Sequence, residues 1–378
     1  MLENQFIQFY EVESDGCIPV PLLQGEQLNY CTQSNFAALE IVDSKGNESI
    51  IPSNKYAVYP HTGGYKEVEI DASAFAGIGL GDCFKLREIS ERTEVSVQLD
   101  DFYTQGLCED AEDPVAEGEV TLEAGDYTMV FENGLDVRGQ WHHEEQTSLV
   151  DGLLHVFLIG PTKTIDAGYL RFENGQLINN SLSFTLTEDS ALYMDISVIN
   201  VDGSVPDCFY CDLWLYLRTT PPSFYKITRG KISNSMRLYE ASDNFSKLRY
   251  ICSEDAFGFP FHNMSNYPEV YLPIRIHSPQ NVQEDKTYVK ANGEVVTLFA
   301  KYYKEWEGET EYLSAEMHDK IVAALSCDYV YINGKRVTKS DKYQVDWENY
   351  DLDCDGVTKL ARATFKVREN TNQRNSNF

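Results

Sequence analysis

Apolar positions in this chain fall in short runs that alternate with polar ones and stop at clusters of Gly, Asn, Asp and Ser, which is strand spacing and not helix spacing. Phe36-Ala37-Ala38-Leu39-Glu40-Ile41-Val42 is followed by the turn cluster Asp43-Ser44-Lys45-Gly46-Asn47 and then by Ser49-Ile50-Ile51. Turn signals at such intervals over residues 1–94 predict a sandwich of antiparallel strands. Gly79 to Ile89 reads as one of its strands.

From Val120 the chain reads strand, Gly turn, strand, and Tyr127, Met129 and Phe131 share one face by period-two alternation. Leu153 to Ile159, Leu182 to Thr187, Leu192 to Ile199 and Cys208 to Leu217 continue the series. These runs predict a second all-β module over residues 95–220, of jelly-roll type. Pro221-Pro222 is a hinge into a third unit, residues 221–378. There a helix is expected over 315–326, with Ser314 as N-cap and Met317, Ile321, Ala324 and Leu325 as the apolar stripe laid on a sheet. Tyr329 to Val337 reads as a hairpin around Asn333-Gly334. The expected fold class is therefore mainly β: several β-sandwich domains, a jelly-roll-like insertion and one C-terminal α-helix.

Charge changes the picture in the middle module. Between Thr93 and Gly160 stand sixteen Asp or Glu residues and one base, Arg138, within a net charge of −29 for the 378 residues. A chain this acidic lacks the basic face that polyanion binding uses, so nucleic acid is an unsuitable partner. The 24 Tyr and 19 Phe supply core material, which argues for a folded module and not an acidic tail. The opening MLENQFIQFYEVESDG has no basic stretch followed by an apolar run, and no long apolar segment follows, so neither secretion nor membrane insertion is expected. Nine scattered cysteines suit a reducing compartment.

Candidate chemistry is sparse, and no GxSxG or phosphate loop occurs. Trp141-His142-His143-Glu144-Glu145 reads first as a solvated loop, because neighbouring residues in a strand face opposite sides and cannot share one metal ion without a bend. Its second reading is a sugar-stacking platform, Trp141 offering a ring face and the acids accepting hydroxyl protons. Trp214 and Tyr216 oppose Leu213, Leu215 and Leu217 on one strand and need a cover, a neighbouring domain or subunit before a ligand. Trp306, set among Glu305, Glu307, Glu309 and Glu311, is a further candidate for ligand or partner binding, with the acids solvated and not catalytic. Asp351, Asp353, Asp355 and Gly356 imitate the start of a calcium loop, but Arg362 occupies the place of its last acid, so an acidic turn is the better reading. Cys208 and Cys211 form a lone CxxC beside a strand and read as packing residues. No catalytic residue, metal or cofactor is expected.

Two stretches, Leu248 to Phe261 (LRYICSEDAFGFPF) and Tyr271 to Val337 (YLPIRIHSPQ through YINGKRV), resemble a virion structural protein of tailed phages and prophages of Bacteroidota, crAss-like phages included. The resemblance covers about the last 130 residues, with a weaker echo in Asp82 to Glu88. It implies a component of the tail or head-to-tail connector region, located in the virion and assembled in the host cytoplasm with copies of itself and other virion proteins. The echo implies that residues 95–220 interrupt one N- plus C-terminal unit. Phage modules of that patterning also suggest an alternative function, a carbohydrate-binding adhesin or receptor-recognition module that meets a bacterial surface glycan.

Overall fold

The computed structural model describes residues 5–12, 19–95, 120–131, 135–141, 151–173, 176–177, 179–199, 211–217, 223–257, 261, 268–352 and 358–369. The described chain is mainly β, arranged in several sheets with one C-terminal α-helix.

Strand β1 (Ala38–Asp43) turns into β2 (Glu48–Ile50) where the Asp43 carboxylate accepts the Lys45 and Asn47 amides at 2.8 Å and Gly46 takes φ 82°. Paired antiparallel beside β1 runs β3 (Cys83–Val95), which starts later than the sequence pattern suggests because Gly79 to Asp82 is spent on a turn, with Gly81 at φ 85°. Strands β4 (Gly125–Val130), β5 (Ser181–Leu186) and β6 (Ser223–Ser233) extend the same sheet: β6 lies between β3 and β4, and β5 flanks β4. One sheet thus joins strands from all three expected units.

Over β4 and β5 lies a second layer built from Val120–Leu122, Ser190–Ile199, Asp151–Ile159, Thr164–Glu173 and Gln176–Leu177. The chain crosses from this layer to the first sheet between Leu122 and Gly125, so the two runs flanking that turn are not a hairpin. Between the layers Tyr127, Met129, Phe131, Val156, Leu158, Leu170, Phe184 and Met194 form one core, with Phe224 of β6 at its border. Tyr127, Met129 and Phe131 share it as their alternation predicts, and each side chain so buried contributes roughly 1.5–3 kcal/mol.

The C-terminal sheet contains β7 (Gln280–Val289), β8 (Val295–Thr310), β9 (Gln344–Leu352) and β10 (Lys359–Glu369), together with the strands Glu269–Leu272, Ser246–Ile251, Tyr329–Ile332, Lys335–Lys339 and Ile274–Ile276. Helix α1 (Ala315–Leu325) packs on it. The Ser314 hydroxyl accepts the Met317 amide at 3.3 Å, and Met317, Ile321, Ala324 and Leu325 are buried, matching the expected stripe. His318 on the same helix donates from Nε2 to the Ala361 carbonyl at 3.0 Å and accepts the Tyr343 hydroxyl at Nδ1, 2.7 Å away. Burial holds its imidazole below the usual range, hence neutral. The largest core runs through both ends of the chain, from Phe6, Leu39 and Leu86 to Met236, Leu272, Ile321 and Phe365.

Candidate functional site

Strands β7 and β8 pair without interruption from Gln280↔Glu305 to Val289↔Val295, with a bulge at Lys286 and Thr287. Their turn is Lys290 to Glu294, where Gly293 takes φ 83° and the Lys290 amine meets the Glu294 carboxylate at 3.0 Å. Asn292-Gly293 is the sequence signal for it. Among the described residues, β8 has other neighbours only from Glu305 onward, β10 on one side and Ile274–Ile276 on the other. The preceding part is a two-stranded arm among the described residues, and the nine positions from Asn281 to Val289 at about 3.3 Å each make it roughly 30 Å long. An isolated two-stranded ribbon is marginal in water, yet this one exposes Tyr288 (56%), Val289 (59%), Val295 (63%) and Tyr302 (59%).

The other end of the sheet has a matching irregularity. Strand β9 pairs with β10 at Gln344–Asp346 and again at Asp351–Leu352, and the four residues between bulge away from a single partner position. The Asp346 carboxylate shapes this outcrop, accepting the Glu348 and Asn349 amides at 3.2 Å and the Asn349 side chain at 2.8 Å. These bonds hold its carboxyl below the usual range. Trp347 (41%), Tyr350 (45%) and Leu352 (48%) stand exposed on it, Trp347 edge-on to His318 and Tyr350 under the Lys359 amine at 4.3 Å. Among the described residues, the far edge of β9 carries no strand.

A buried ionic cluster offers the most unusual titration. Glu40 is fully buried, takes the Ser183 hydroxyl at 2.6 Å on one oxygen and Arg87 at 3.1 Å on the other, while Arg87 also meets Glu48. Arg229 bridges Glu48 and Asp126. Burial first, then the Glu48 charge, pushes the Glu40 carboxyl up to about 7, against the Ser183 hydroxyl and the two guanidiniums. That value would suit a general acid, but Glu40 is fully buried with both oxygens engaged, and the cluster ties β1 to β6 together.

Between the β1–β2 turn and the overlying layer is a polar cleft of about 410 Å³, lined by Asp43, Lys45, Asn47, Glu48, Tyr169 and Arg171 among others. Tyr169 stacks on His155 at 4.1 Å, and His155 Nε2 lies 2.7 Å from Asp166. Asn179 is spent on the backbone of Tyr169 and Arg171.

Of the residues singled out by sequence, Trp141, Trp214 and Tyr216 fall on one two-stranded sheet, while Trp306 lies on β8 of the C-terminal sheet. Trp141 lies on Leu135–Trp141 and pairs with Cys211 of Cys211–Leu217, on which Trp214 and Tyr216 stand opposite Arg138 and Asp136. His142, His143, Asp353, Asp355 and Cys208 lie outside the described residues, while Asp351 belongs to β9. Trp306 requires a correction: it is a core residue, 7% exposed, with the Lys335 amine 5.5 Å from its ring. The glutamates beside it point the other way, toward Lys366, Arg362 and His277 across neighbouring strands. Tyr288, Val289, Trp347 and Tyr350, which the sequence pattern did not single out, are among the exposed aromatic and apolar residues instead. No helix among the described residues is long and apolar enough to cross a membrane. Comparison with protein-family models, with curated proteins and with solved structures found no match.

Proposed function

We propose that this chain is a structural, non-catalytic subunit of a bacteriophage virion, in the tail or head-to-tail connector region, assembling with itself and with other virion proteins. The observation that carries the assembly reading is the C-terminal sheet, which holds out an apolar arm at one end and an apolar outcrop at the other. Surfaces of that kind on a folded domain are covered in the working state. The virion assignment is supported by the resemblance of Leu248 to Phe261 and Tyr271 to Val337, the segments that build this sheet. Quantitative mass spectrometry of purified phage particles tests it: a fixed ratio of this chain to the portal protein is expected, and absence from particles overturns it.

A second reading, binding of a bacterial surface glycan through residues 95–220, is favoured by the polar cleft, to which that segment contributes Tyr169 and Arg171. Sugars titrated into the full chain, with Arg171→Ala as control, should then give saturable binding that the variant weakens. No binding at millimolar sugar removes this reading. The two roles are compatible, since a tail subunit can carry a glycan-binding insertion.

A further inference from the structure

We propose that the β7–β8 arm of one copy seats on the β9 outcrop of a second copy, head to tail. The inference rests on the reading of this chain as a self-assembling subunit and names the surfaces that make the contact.

Three observations converge on it. Both surfaces leave apolar side chains largely open to solvent: Tyr288, Val289 and Val295 on the arm, and on β9 Leu352 with the outer parts of Trp347 and Tyr350, which touch His318 and Lys359. Their charges are complementary. Residues 280–304 carry four lysines and three acids, whereas the described residues 341–352 carry four acids and only Lys342, with Lys359 of β10 beside them at Tyr350. In a chain of net charge −29 most surface repels a second copy, so the lysine-bearing arm is steered to the acidic edge.

Position supplies the third. The arm leaves the sheet past Arg368, at the C-terminal end of β10, while β9 flanks Lys359 to Thr364 at the other end. The two surfaces therefore face apart within one copy and meet only between copies. Such a contact is heterologous: each added subunit leaves one arm and one outcrop free, and the series closes into a ring if its rotation permits. The bulge at Trp347 to Tyr350 interrupts the regular edge of β9, so recognition falls to the apolar and charged side chains.

Charge reversal with cross-rescue tests the contact. One variant combines Lys290→Glu with Lys304→Glu in the arm, and the other Glu348→Lys with Asp351→Lys in the outcrop. All four sites are exposed, and far-UV circular dichroism matching the wild type shows that both variants fold. In sedimentation velocity the wild-type chain should self-associate, and each variant alone should need about tenfold or more higher concentration to do so. An equimolar mixture should assemble again, because the acidic arm then meets the basic edge and the basic arm the acidic edge. Val289→Ser with Val295→Ser should weaken assembly without any change of charge. Variants that associate like the wild type, or a mixture that fails to rescue, overturn the arm contact while leaving self-assembly intact. A wild-type chain that stays monomeric at high concentration overturns the contact and self-assembly together, and its presence in particles then decides whether the virion reading survives.

Discussion

Glu40 shows how a single buried acid sets a pH dependence for the whole fold. Unfolded, a glutamate releases its proton near 4.5; in place, between Glu48 and the protein interior, it does so at about 7. Between those values the folded state holds more of the proton, so the contribution of this group to stability is complete below about 4.5 and lost as pH rises through about 7. On the order of 3 kcal/mol is at stake. Denaturant melts of the wild type and of Glu40→Gln at several pH values should differ in slope across this window, the variant being flatter; parallel curves would remove Glu40 as the titrating group. Gly230 illustrates a steric demand: a Cβ there would lie 2.6 Å from the Glu88 carbonyl oxygen, a backbone atom with nowhere to go. Gly230→Ala should cost about 1–3 kcal/mol in the same melts. Neither demand is visible in sequence, because Glu88 and Ser183 are brought in by pairings across long stretches of chain. The inward position of Trp306 was legible: glutamates at 305, 307, 309 and 311 occupy one face of a strand and leave the residues between them for the core.

Elements fixed by local chemistry are the ones that sequence reading recovers. Asn333 and Gly334 adopt φ 49° and 76°, the left-handed pair that a two-residue hairpin turn needs, and the strands they join were expected there. Gly334→Ala should therefore cost about 1 kcal/mol, and Ser314→Ala, which leaves the Met317 amide without its cap, about the same; thermal melts of the two single variants check both. The arm was equally legible in principle, since Asn292-Gly293 separates two strand-forming runs. What no local signal states is where a hairpin stops having neighbours, and that is what makes residues 280–304 an arm and not an interior ribbon. Likewise the hop between layers at Glu123 and Ala124 looks like a hairpin until the partners of each strand are known.

At the scale of the whole molecule, the path of the chain explains how an acidic segment of this size can sit mid-sequence without dividing the first core. Val95 at the end of β3 and Phe224 near the start of β6 are directly paired neighbours, so the chain leaves and re-enters the sheet at adjacent points. Among the described residues, everything the largest core uses lies outside residues 95–220, from Phe6 to Leu86 and from Met236 to Val367. Residues 120–194 bring a core of their own and attach through β4, the clamp of Glu40, Arg87, Glu48, Arg229 and Asp126, and the Ser181 hydroxyl on the backbone of Ile50. Replacing residues 97–221 by a short turn should therefore leave a chain that folds cooperatively, with β3 and β6 as a plain hairpin. It should be less stable by several kcal/mol, because Phe224 loses its cover and Arg229 its Asp126 partner. A single cooperative melt with native-like circular dichroism is the expected result. An unfolded product would mean that the two cores form only together, and that the acidic segment is a structural part of the sheet it joins.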